Sequence, residues 1–229
     1  MLDCVNVVKR YGGKFAVNGM SVAIEDAHIY GLLGPNGSGK STWMKMAAGL
    51  IVPDEGQMTL DGVKIGAETK RHIAYMPTEG YFYSYMKIKD VGRYYQDFFD
   101  DFDEQQFEKL IADMDLEMNM KVRNLSSGMM AKLKIAVTLS RKAELYLLDE
   151  PENSLSPERQ QELVRFIEDS ARFFGCQFVI ATHSPFLLAV RNARIYDMDE
   201  EPVDVKRWTQ LPNVRAYYDF FKKHKEEFE

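Results

Sequence analysis

Short runs of hydrophobic residues alternate along the chain with longer segments in which hydrophobic residues recur every three or four positions. The short runs, which are typical of buried strands, occupy residues 29–33, 73–76, 145–148 and 178–181. Helical spacing follows the second run at residues 91–114 and the third run at residues 163–174. This alternation predicts an α/β fold whose core sheet is mostly parallel and is covered by helices on both faces.

The first part of the chain carries strand patterns of a different kind. Strands are predicted at residues 5–8 and 20–24, on either side of a turn at Tyr11-Gly12-Gly13. A hairpin is predicted at residues 58–65, because Asp61-Gly62 is a typical two-residue hairpin turn. These patterns indicate an N-terminal antiparallel β subdomain.

Helical patterns dominate the middle of the chain. Residues 83–135 are predicted to form an inserted α-helical subdomain, in which Asp103 and Gln106 can cap the second helix. Residues 1–82 and 136–229 are predicted to supply the core and the β subdomain, so that the whole chain is a single domain. The tail is predicted to be an amphipathic helix that packs on this domain through Val214, Tyr217, Tyr218, Phe221 and Phe228.

Composition narrows the classes of function. The chain has 229 residues, of which 45% are hydrophobic, enough for a sizeable core. Its net charge of −6 and the lack of a basic block give no indication of nucleic-acid binding. No apolar stretch approaches the roughly 18 residues that cross a bilayer, and the start shows no secretory signal pattern. Cys4 and Cys176 lack the spacing of a metal site, so we expect two buried free thiols, with a disulfide as the alternative.

A glycine-rich segment joins the strand at residues 29–33 to a helix predicted at residues 43–50, the context of a phosphate-binding loop. Glycines allow backbone N–H groups to converge on the β- and γ-phosphates of a nucleotide, and the helix start adds a positive dipole. Lys40 offers a charge to the phosphate oxygens, and Ser41 offers a hydroxyl to Mg²⁺. A flexible glycine loop without a ligand is the alternative. The candidate nucleotide-binding residues here are Gly34, Pro35, Asn36, Gly37, Ser38, Gly39, Lys40, Ser41 and Thr42.

Two carboxylates end the strand predicted at residues 145–148. Asp149 is suited to hold Mg²⁺, and Glu150 is suited to orient or deprotonate an attacking water, although a structural role at the strand end is the alternative. His183 follows the next strand at the same predicted edge of the sheet, which favours a catalytic role, although a structural histidine is the alternative. Upstream, residues 125–129 open an amphipathic helix, and taken alone they are an ordinary helix N-terminus.

In this order and combination, the motifs resemble those of the nucleotide-binding subunit of ATP-binding cassette (ABC) transporters over nearly the whole chain. The resemblance implies a P-loop NTPase fold. Residues 34–42 match the Walker A loop of the family, and residues 145–149 match the Walker B strand. By the same resemblance Lys40, Glu150 and His183 act in catalysis, Glu150 as the catalytic glutamate and His183 as the switch histidine that contacts the γ-phosphate.

The resemblance also assigns two further groups of residues. Tyr11 matches the aromatic residue that stacks on adenine, with Val17 beneath the ring, although a turn aromatic is the alternative for Tyr11. Residues 125–129 match the signature motif, which acts on the nucleotide held by a second subunit. The signature residues are Ser126, Ser127, Gly128 and Met129.

A mechanism and a set of partners are implied as well. In the family, two ATPase subunits clamp two ATP molecules head to tail with Mg²⁺, and hydrolysis to ADP and phosphate releases the pair. The implied partners are therefore a second ATPase subunit, in a homodimer or a heterodimer, and a separate transmembrane permease subunit. The chain would then be cytoplasmic and peripheral on the inner face of the cell membrane, with no nucleic-acid partner. The cargo is not implied by any of these residues.

The chain departs from the family pattern at several positions. The family usually has Gln where this chain has Thr78, which is shorter, so either Thr78 or the adjacent Glu79 is the candidate for the Gln's role at the metal. In the signature, Ser127 replaces the usual Gly and Met129 the usual Gln. Ser156 stands where an Asp is usual, after the acidic strand.

An aromatic segment at residues 81–86 follows the loop at Thr78, which differs from the family pattern. We expect this segment and the next helix to dock the membrane subunit, with packing inside the helical subdomain as the alternative. The short subunit and the unusual loop at Thr78 are more typical of small bacterial exporters than of importers. Two alternatives to a transporter subunit are a non-transport ABC ATPase in repair or translation and a nucleotide-sensing module.

Overall fold

Two β-sheets and the helices around them form the computed structural model, which describes residues 1–26, 28–80, 82–198 and 203–228. The strands are β1 (Leu2–Tyr11), β2 (Lys14–Ile24), β3 (Ile29–Leu33), β4 (Glu55–Leu60), β5 (Val63–Lys64), β6 (Ile73–Met76), β7 (Leu145–Asp149), β8 (Gln177–Ala181), β9 (Arg194–Asp197) and β10 (Asp204–Lys206). The helices are α1 (Lys40–Ala47), α2 (Ile88–Phe98), α3 (Glu104–Asp113), α4 (Ser127–Leu139), α5 (Pro157–Phe174), α6 (Pro185–Leu188) and α7 (Pro212–Lys223).

The larger sheet has the strand order β10-β9-β3-β8-β7-β6 within the described residues. All neighbours from β9 to β6 pair in parallel, and β10 pairs antiparallel with β9. Every residue of β3, β7 and β8 is buried. Side chains of α4 and α5 cover one face, whereas α1 and the smaller sheet cover the other. The predicted α/β fold with a mostly parallel core sheet is confirmed.

Parallel pairing brings the ends of three central strands to one edge of this sheet. Leu32 of β3 and Asp149 of β7 both lie opposite Ala181 of β8. The loop after β3, the carboxylates after β7 and the histidine after β8 therefore face the same crevice. Ligands of open α/β sheets bind at this carboxyl edge.

The smaller sheet is antiparallel, with the order β2-β1-β4-β5. Its β4–β5 hairpin turns at Asp61 and Gly62, which both have positive φ (50° and 78°), as a two-residue hairpin turn requires. Register shifts interrupt the β1–β2 pairing, so this sheet is irregular where it approaches the phosphate loop. Its inner face packs on Trp43 of α1, which is fully buried. The predicted N-terminal antiparallel subdomain is therefore present.

Three helices follow β6 and pack on one another. The predicted cap of α3 is confirmed, because the carboxylate of Asp103 accepts the backbone N–H of Gln106 at 2.9 Å. Phe107 is fully buried between these helices. Helix α4 runs without a break past residue 135 to Leu139, so it joins the helical region directly to the core. The proposed division at residues 83–135 stays a prediction.

The tail forms the predicted helix α7, but the prediction that its aromatic face packs on the domain is wrong. Among the described residues, the start of the helix is held by Leu211, which precedes Pro212, and by Val214, both of which are buried beside β3, α6 and β9. Beyond its first turn the helix points its rings away from the core, where some pack on each other; Phe221 and Phe228 lie 6.0 Å apart. Each of the remaining predicted contacts is more than half exposed, namely Tyr217, Tyr218, Phe221 and Phe228.

Within the described residues, no helix has the length and apolarity needed to cross a membrane. Both cysteines are free thiols, as expected, but the expectation that both are buried is wrong for Cys176, which is only partly covered. Cys4 is buried in the smaller sheet, where its sulfur accepts the indole N–H of Trp43 at 3.4 Å, and Cys176 is half-buried before β8.

Candidate nucleotide-binding and catalytic site

The loop between β3 and α1 has the backbone that its glycines predict. Gly37 and Gly39 have φ values of 91° and 93°, in the left-handed region that glycine favours. A Cβ atom on Gly39 would lie 2.0 Å from the carbonyl oxygen of Ala16, so no larger residue fits there. This close approach presses the loop against β2. Buried Val17 lies beside Gly39 on that strand.

Lys40 points back into the loop rather than into solvent. Its side chain is 5% exposed, and its ammonium donates to the carbonyl oxygens of Gly34 at 2.5 Å and Pro35 at 3.0 Å. Among the described residues, the buried hydroxyl of Ser38 finds no hydrogen-bond partner. A cationic group and an unsatisfied donor thus lie at the same concave turn. Both features fit a polyphosphate.

Ser41 and Asp149 come together although they are 108 positions apart in the sequence. The Ser41 hydroxyl donates to Asp149 Oδ1 at 3.1 Å, and the Tyr75 hydroxyl donates to Oδ2 at 3.4 Å. Asp149 is only 1% exposed at the end of β7. Mg²⁺ is usually bound by one or two protein oxygens together with substrate phosphates. A hydroxyl and a carboxylate held side by side beside the phosphate loop fit that ion.

Glu150 has an unusual backbone for its residue type. Its φ is 51°, in the left-handed region, while its N–H still donates to the Ala181 carbonyl at 2.9 Å. The Asn153 amide donates to Glu150 Oε2 at 2.7 Å and so restrains the carboxylate. Such conformations are uncommon outside glycine and cluster at functional sites. The turn directs a restrained carboxylate out of the strand, next to Asp149.

A second glutamate holds the loop that carries His183. Glu152 Oε1 accepts the hydroxyl of Thr182 at 2.5 Å and the backbone N–H of His183 at 2.9 Å. Thr182 is buried at the end of β8, whereas His183 is exposed. The loops after β7 and β8 are therefore joined by a carboxylate that the sequence analysis did not select. The clue was a third acidic residue two positions after Glu150.

The signature residues form the start of α4. Ser126 caps the helix by accepting the Met129 N–H at 3.2 Å. Ser126 and Ser127 are exposed, and Gly128 lies so close to the loop after β7 that a Cβ there would be 2.9 Å from the Ser154 carbonyl. Met129 packs on the hydrophobic core beneath α4. The hydroxyls of the two serines and the helix N-terminus are open to an anion from outside the chain.

Tyr11 lies at the end of β1, where its ring is 53% exposed, with the Lys9 ammonium 5.7 Å from the ring centroid. An exposed ring is available for stacking. Val17, in contrast, is 4% exposed and lies against the phosphate loop.

The loop after β6 is held from α4 by a buried lysine. The Lys134 ammonium donates to the Thr78 carbonyl at 2.5 Å and to the Pro77 carbonyl at 3.2 Å. Burial lowers the pKa of Lys134, and the nearby charges of Asp149 and Glu150 act against that shift. Lys134 was not among the predicted site residues, although a lysine among apolar residues with helical spacing is a visible signal in the sequence.

The aromatic segment at residues 82–86 borders a groove of about 280 Å³ that is shared with α2. Tyr83 and Tyr85 stack with ring centroids 5.5 Å apart, and they are 57% and 70% exposed. Phe82 packs on the core instead. Tyr81, the first residue of the predicted docking segment, lies outside the described residues.

Comparison with known proteins agrees with this geometry. A family model described as "ABC transporter" matches residues 17–153, more than half of the chain. Among curated relatives, "ABC transporter ATP-binding protein YtrB" of Bacillus subtilis (strain 168) is 27% identical over 80% of this chain and 63% of the relative. "Linearmycin resistance ATP-binding protein LnrL" of the same organism is 31% identical over 73% of this chain and 57% of the relative. The chain therefore spans about three fifths of the length of these relatives.

Solved structures share the fold. The structure titled "Dimeric Structure of MJ0796, a Bacterial ABC Transporter Cassette" has a TM-score of 0.77, with 21% identity over 86% of this chain and 94% of that one. At that identity the likeness shows the fold alone. Because the family model matches residues 17–153, from β2 to the loop after β7, the chain belongs to the ATP-binding cassette (ABC) transporter family.

Proposed function

We propose that the chain is the ATP-hydrolysing subunit of an ABC transporter, which binds ATP with Mg²⁺ at the carboxyl edge of the larger sheet. The observation that carries the proposal is the hydrogen bond between Ser41 and Asp149, beside the phosphate loop and next to Glu150. It joins the hydroxyl and the carboxylate that a nucleotide-bound Mg²⁺ requires, from two distant motifs. The names of the curated relatives, which are ATP-binding proteins, support the nucleotide.

The loop residues 34–42 bind the phosphates in this proposal. The Lys40 ammonium, now on the Gly34 and Pro35 carbonyls, moves to the β- and γ-phosphate oxygens. Ser41 and Asp149 hold Mg²⁺, with Thr78 or Glu79 as the further candidate ligand. When bound, Mg²⁺ neutralises charge on the phosphate oxygens. Tyr11, which is exposed at the end of β1, stacks on the adenine, and Val17 lies beneath the ring where it packs against the phosphate loop.

Hydrolysis follows from the two loops after β7 and β8. Glu150 orients a water for in-line attack on the γ-phosphate, because its carboxylate is directed out of the strand and restrained by Asn153. His183, which the Glu152 carboxylate fixes through its backbone, contacts the γ-phosphate. The products are ADP and phosphate.

A second ATPase subunit completes the site. The exposed start of α4, with Ser126, Ser127, Gly128 and Met129, caps the γ-phosphate held by the loop of the opposite subunit in a head-to-tail pair. Two exposed hydroxyls and a helix N-terminus suit an anion, which supports this role. The opposite subunit is either a second copy of this chain or a homologue.

The membrane partner is a separate permease subunit, which places the chain at the cytoplasmic face of the cell membrane. Its helices dock in the groove beside residues 82–86, where the stacked rings of Tyr83 and Tyr85 stand exposed instead of packing the subdomain. Movement of cargo through the permease is then driven by closing and opening of the ATPase pair.

Capture of the assembly tests this proposal. We would tag the Glu150→Gln variant, purify it from membranes with ATP and Mg²⁺, and measure the mass and composition of the complex. The expected complex contains two ATPase subunits and a membrane-spanning protein, and Tyr83→Asp with Tyr85→Asp removes only the latter. A nucleotide-loaded chain that purifies alone would overturn the assembly.

A further inference from the structure

We propose that Lys134 is a positioning residue that ties helix α4 to the loop after β6, so that this loop and the signature residues move as one body. The inference rests on the proposed function, because it concerns the regulation of the same ATPase site. It assigns to a lysine of α4 a link to this loop that runs through backbone carbonyls and not through the side chain of Thr78.

The geometry of Lys134 is that of a clamp. Its side chain is 7% exposed, in the middle of α4, and its ammonium holds the two successive carbonyls of Pro77 and Thr78. The methylene stem runs beside Gly80, where a Cβ atom would lie 3.5 Å from Lys134 Cδ. The hydrogen bonds go to backbone atoms, so they restrain the path of the loop whatever its side chains do.

Packing alone does not explain a charge at this position. The neighbouring residues Leu133 and Ile135 to Leu139 are mostly apolar and buried, and a buried ammonium is costly unless it is paired and hydrogen-bonded. Methionine has a similar length and would fill the same space without that cost. The burial of the Lys134 ammonium therefore costs desolvation free energy. Hydrogen bonds to the two carbonyls and attraction to the charges of Asp149 and Glu150 offset part of this cost.

The clamp lies between two functional surfaces. On one side, Phe82 and Tyr83, which come shortly after Gly80 in the sequence, line the aromatic groove. On the other side, α4 runs eight residues from Lys134 back to Ser126, about 12 Å of rigid helix. A displacement of the loop by an occupant of the groove is thus carried to the exposed signature residues, with no contact needed from the Thr78 side chain.

Three variants test the clamp. Lys134→Met keeps the length and removes the charge, and Lys134→Arg keeps a cationic donor. The matched control is Lys132→Met, two positions earlier on α4, whose ammonium donates to the Met114 carbonyl at 2.8 Å, away from the loop. We would measure kcat and KM for ATP hydrolysis, and hydrogen–deuterium exchange of the peptide covering residues 76–82.

We expect Lys134→Met to lower kcat by about tenfold while KM for ATP stays within about twofold, as loss of charge-assisted hydrogen bonds implies. Exchange in residues 76–82 should rise by about fivefold or more. Lys134→Arg should recover most of both effects, and Lys132→Met should match the wild type. A purely packing role would not give rescue by arginine.

The inference is overturned if Lys134→Met shows the exchange and the kcat of the wild type. If Lys134→Met does not fold, Lys134→Gln takes its place with the same expected results. Absence of ATP binding and hydrolysis in the wild-type chain would refute the proposed function instead. The exchange measurement, which needs no ATP, would still decide whether Lys134 holds the loop.

Discussion

The Oε1 atom of Glu152 accepts the backbone N–H of His183 at 2.9 Å. The same oxygen accepts the Thr182 hydroxyl and, at 3.3 Å, the Ser184 N–H, so one carboxylate organises the start of the loop after β8. Its other oxygen, Oε2, is buried without a hydrogen-bond partner among the described residues. The loop after β8 is therefore held by a side chain from the loop after β7, and the position of His183 depends on this contact.

Removal of this carboxylate should slow hydrolysis without preventing nucleotide binding. We expect Glu152→Ala to lower kcat by about ten- to a hundredfold, because three hydrogen bonds to a charged acceptor are lost and His183 is no longer fixed. Affinity for ATP should stay within about threefold, since the hydrogen bonds of Glu152 run to Thr182, His183 and Ser184 and not to the residues that bind the phosphates. Steady-state hydrolysis and titration with a fluorescent ATP analogue measure the two. Glu162→Ala, which changes an exposed partner of Arg159, is the control; equal kcat in both variants would contradict the account.

Arg141 should matter more to stability than the lysine beside it. Its guanidinium is buried, donates to Asp101 at 2.5 Å and lies 3.8 Å from the Phe99 ring centroid. Arg141→Met leaves the Asp101 charge uncompensated, so we expect the free energy of unfolding, measured in urea, to fall by about 3 kcal/mol. Lys142→Met removes the exposed pair with Asp103 and should cost less than about 1 kcal/mol. An equal fall in the free energy of unfolding for the two variants would contradict the expectation that the buried ion pair stabilises the fold more than the exposed one.

Gly92 is a glycine whose replacement by alanine should destabilise a helix. Alanine favours helical backbone by about 1 kcal/mol, but a Cβ on Gly92 would lie 2.5 Å from Cε1 of buried Phe107. Overpacking costs about 1–3 kcal/mol, so we expect the clash with Phe107 to outweigh the gain in helix propensity. Thermal unfolding should show a lower midpoint for Gly92→Ala. Gly66→Ala, whose Cβ would meet nothing closer than 3.8 Å, should leave the midpoint nearly unchanged; a stabilised Gly92→Ala would contradict the packing.

The two thiols should differ in reactivity. Burial raises the pKa of Cys4 from 9.0 to about 11, so its thiolate does not form in the folded chain at pH 8. Half-buried Cys176, whose pKa burial also raises, is the accessible thiol. We expect a thiol reagent at pH 8 to label Cys176 slowly and Cys4 only after unfolding, and Cys4→Ala should abolish the labelling that follows unfolding. Rapid native labelling of Cys4 would contradict its burial.

Because the folded pKa of Cys4 is raised, its contribution to stability is present below pH 9 and is lost between about pH 9 and 11.

Local patterns were sufficient to predict the parts of the fold that depend on neighbours in sequence. The runs that became β3, β7 and β8, the turn at Asp61-Gly62 and the cap at Asp103 each have their cause within a few residues. Ser41 and Asp149 were each predicted to bind Mg²⁺, and the parallel pairing of β3 and β7 with β8 brings them into hydrogen-bond contact. The roles of these residues in binding and catalysis stay predictions.

Long-range contacts were not predictable in the same way. Lys134 and Thr78 are 56 positions apart, and Glu152 and His183 are 31 apart, so no local pattern signals their hydrogen bonds. The prediction that the aromatic face of α7 packs on the domain was wrong for a related reason. Amphipathic spacing in α7 indicates which side chains share a face, but not that the domain offers a surface to cover Tyr217 and its neighbours.

The central claim is that this chain hydrolyses ATP at the site formed by Lys40, Asp149 and Glu150, and the most direct measurement is ATP turnover with Mg²⁺ in matched variants. The account predicts turnover by the wild type, at least about a hundredfold loss in Glu150→Gln with ATP affinity retained, and loss of ATP binding in Lys40→Met. Lys132→Met should behave as the wild type. Turnover by Glu150→Gln at the wild-type rate, or ATP binding by Lys40→Met with undiminished affinity, would contradict the account.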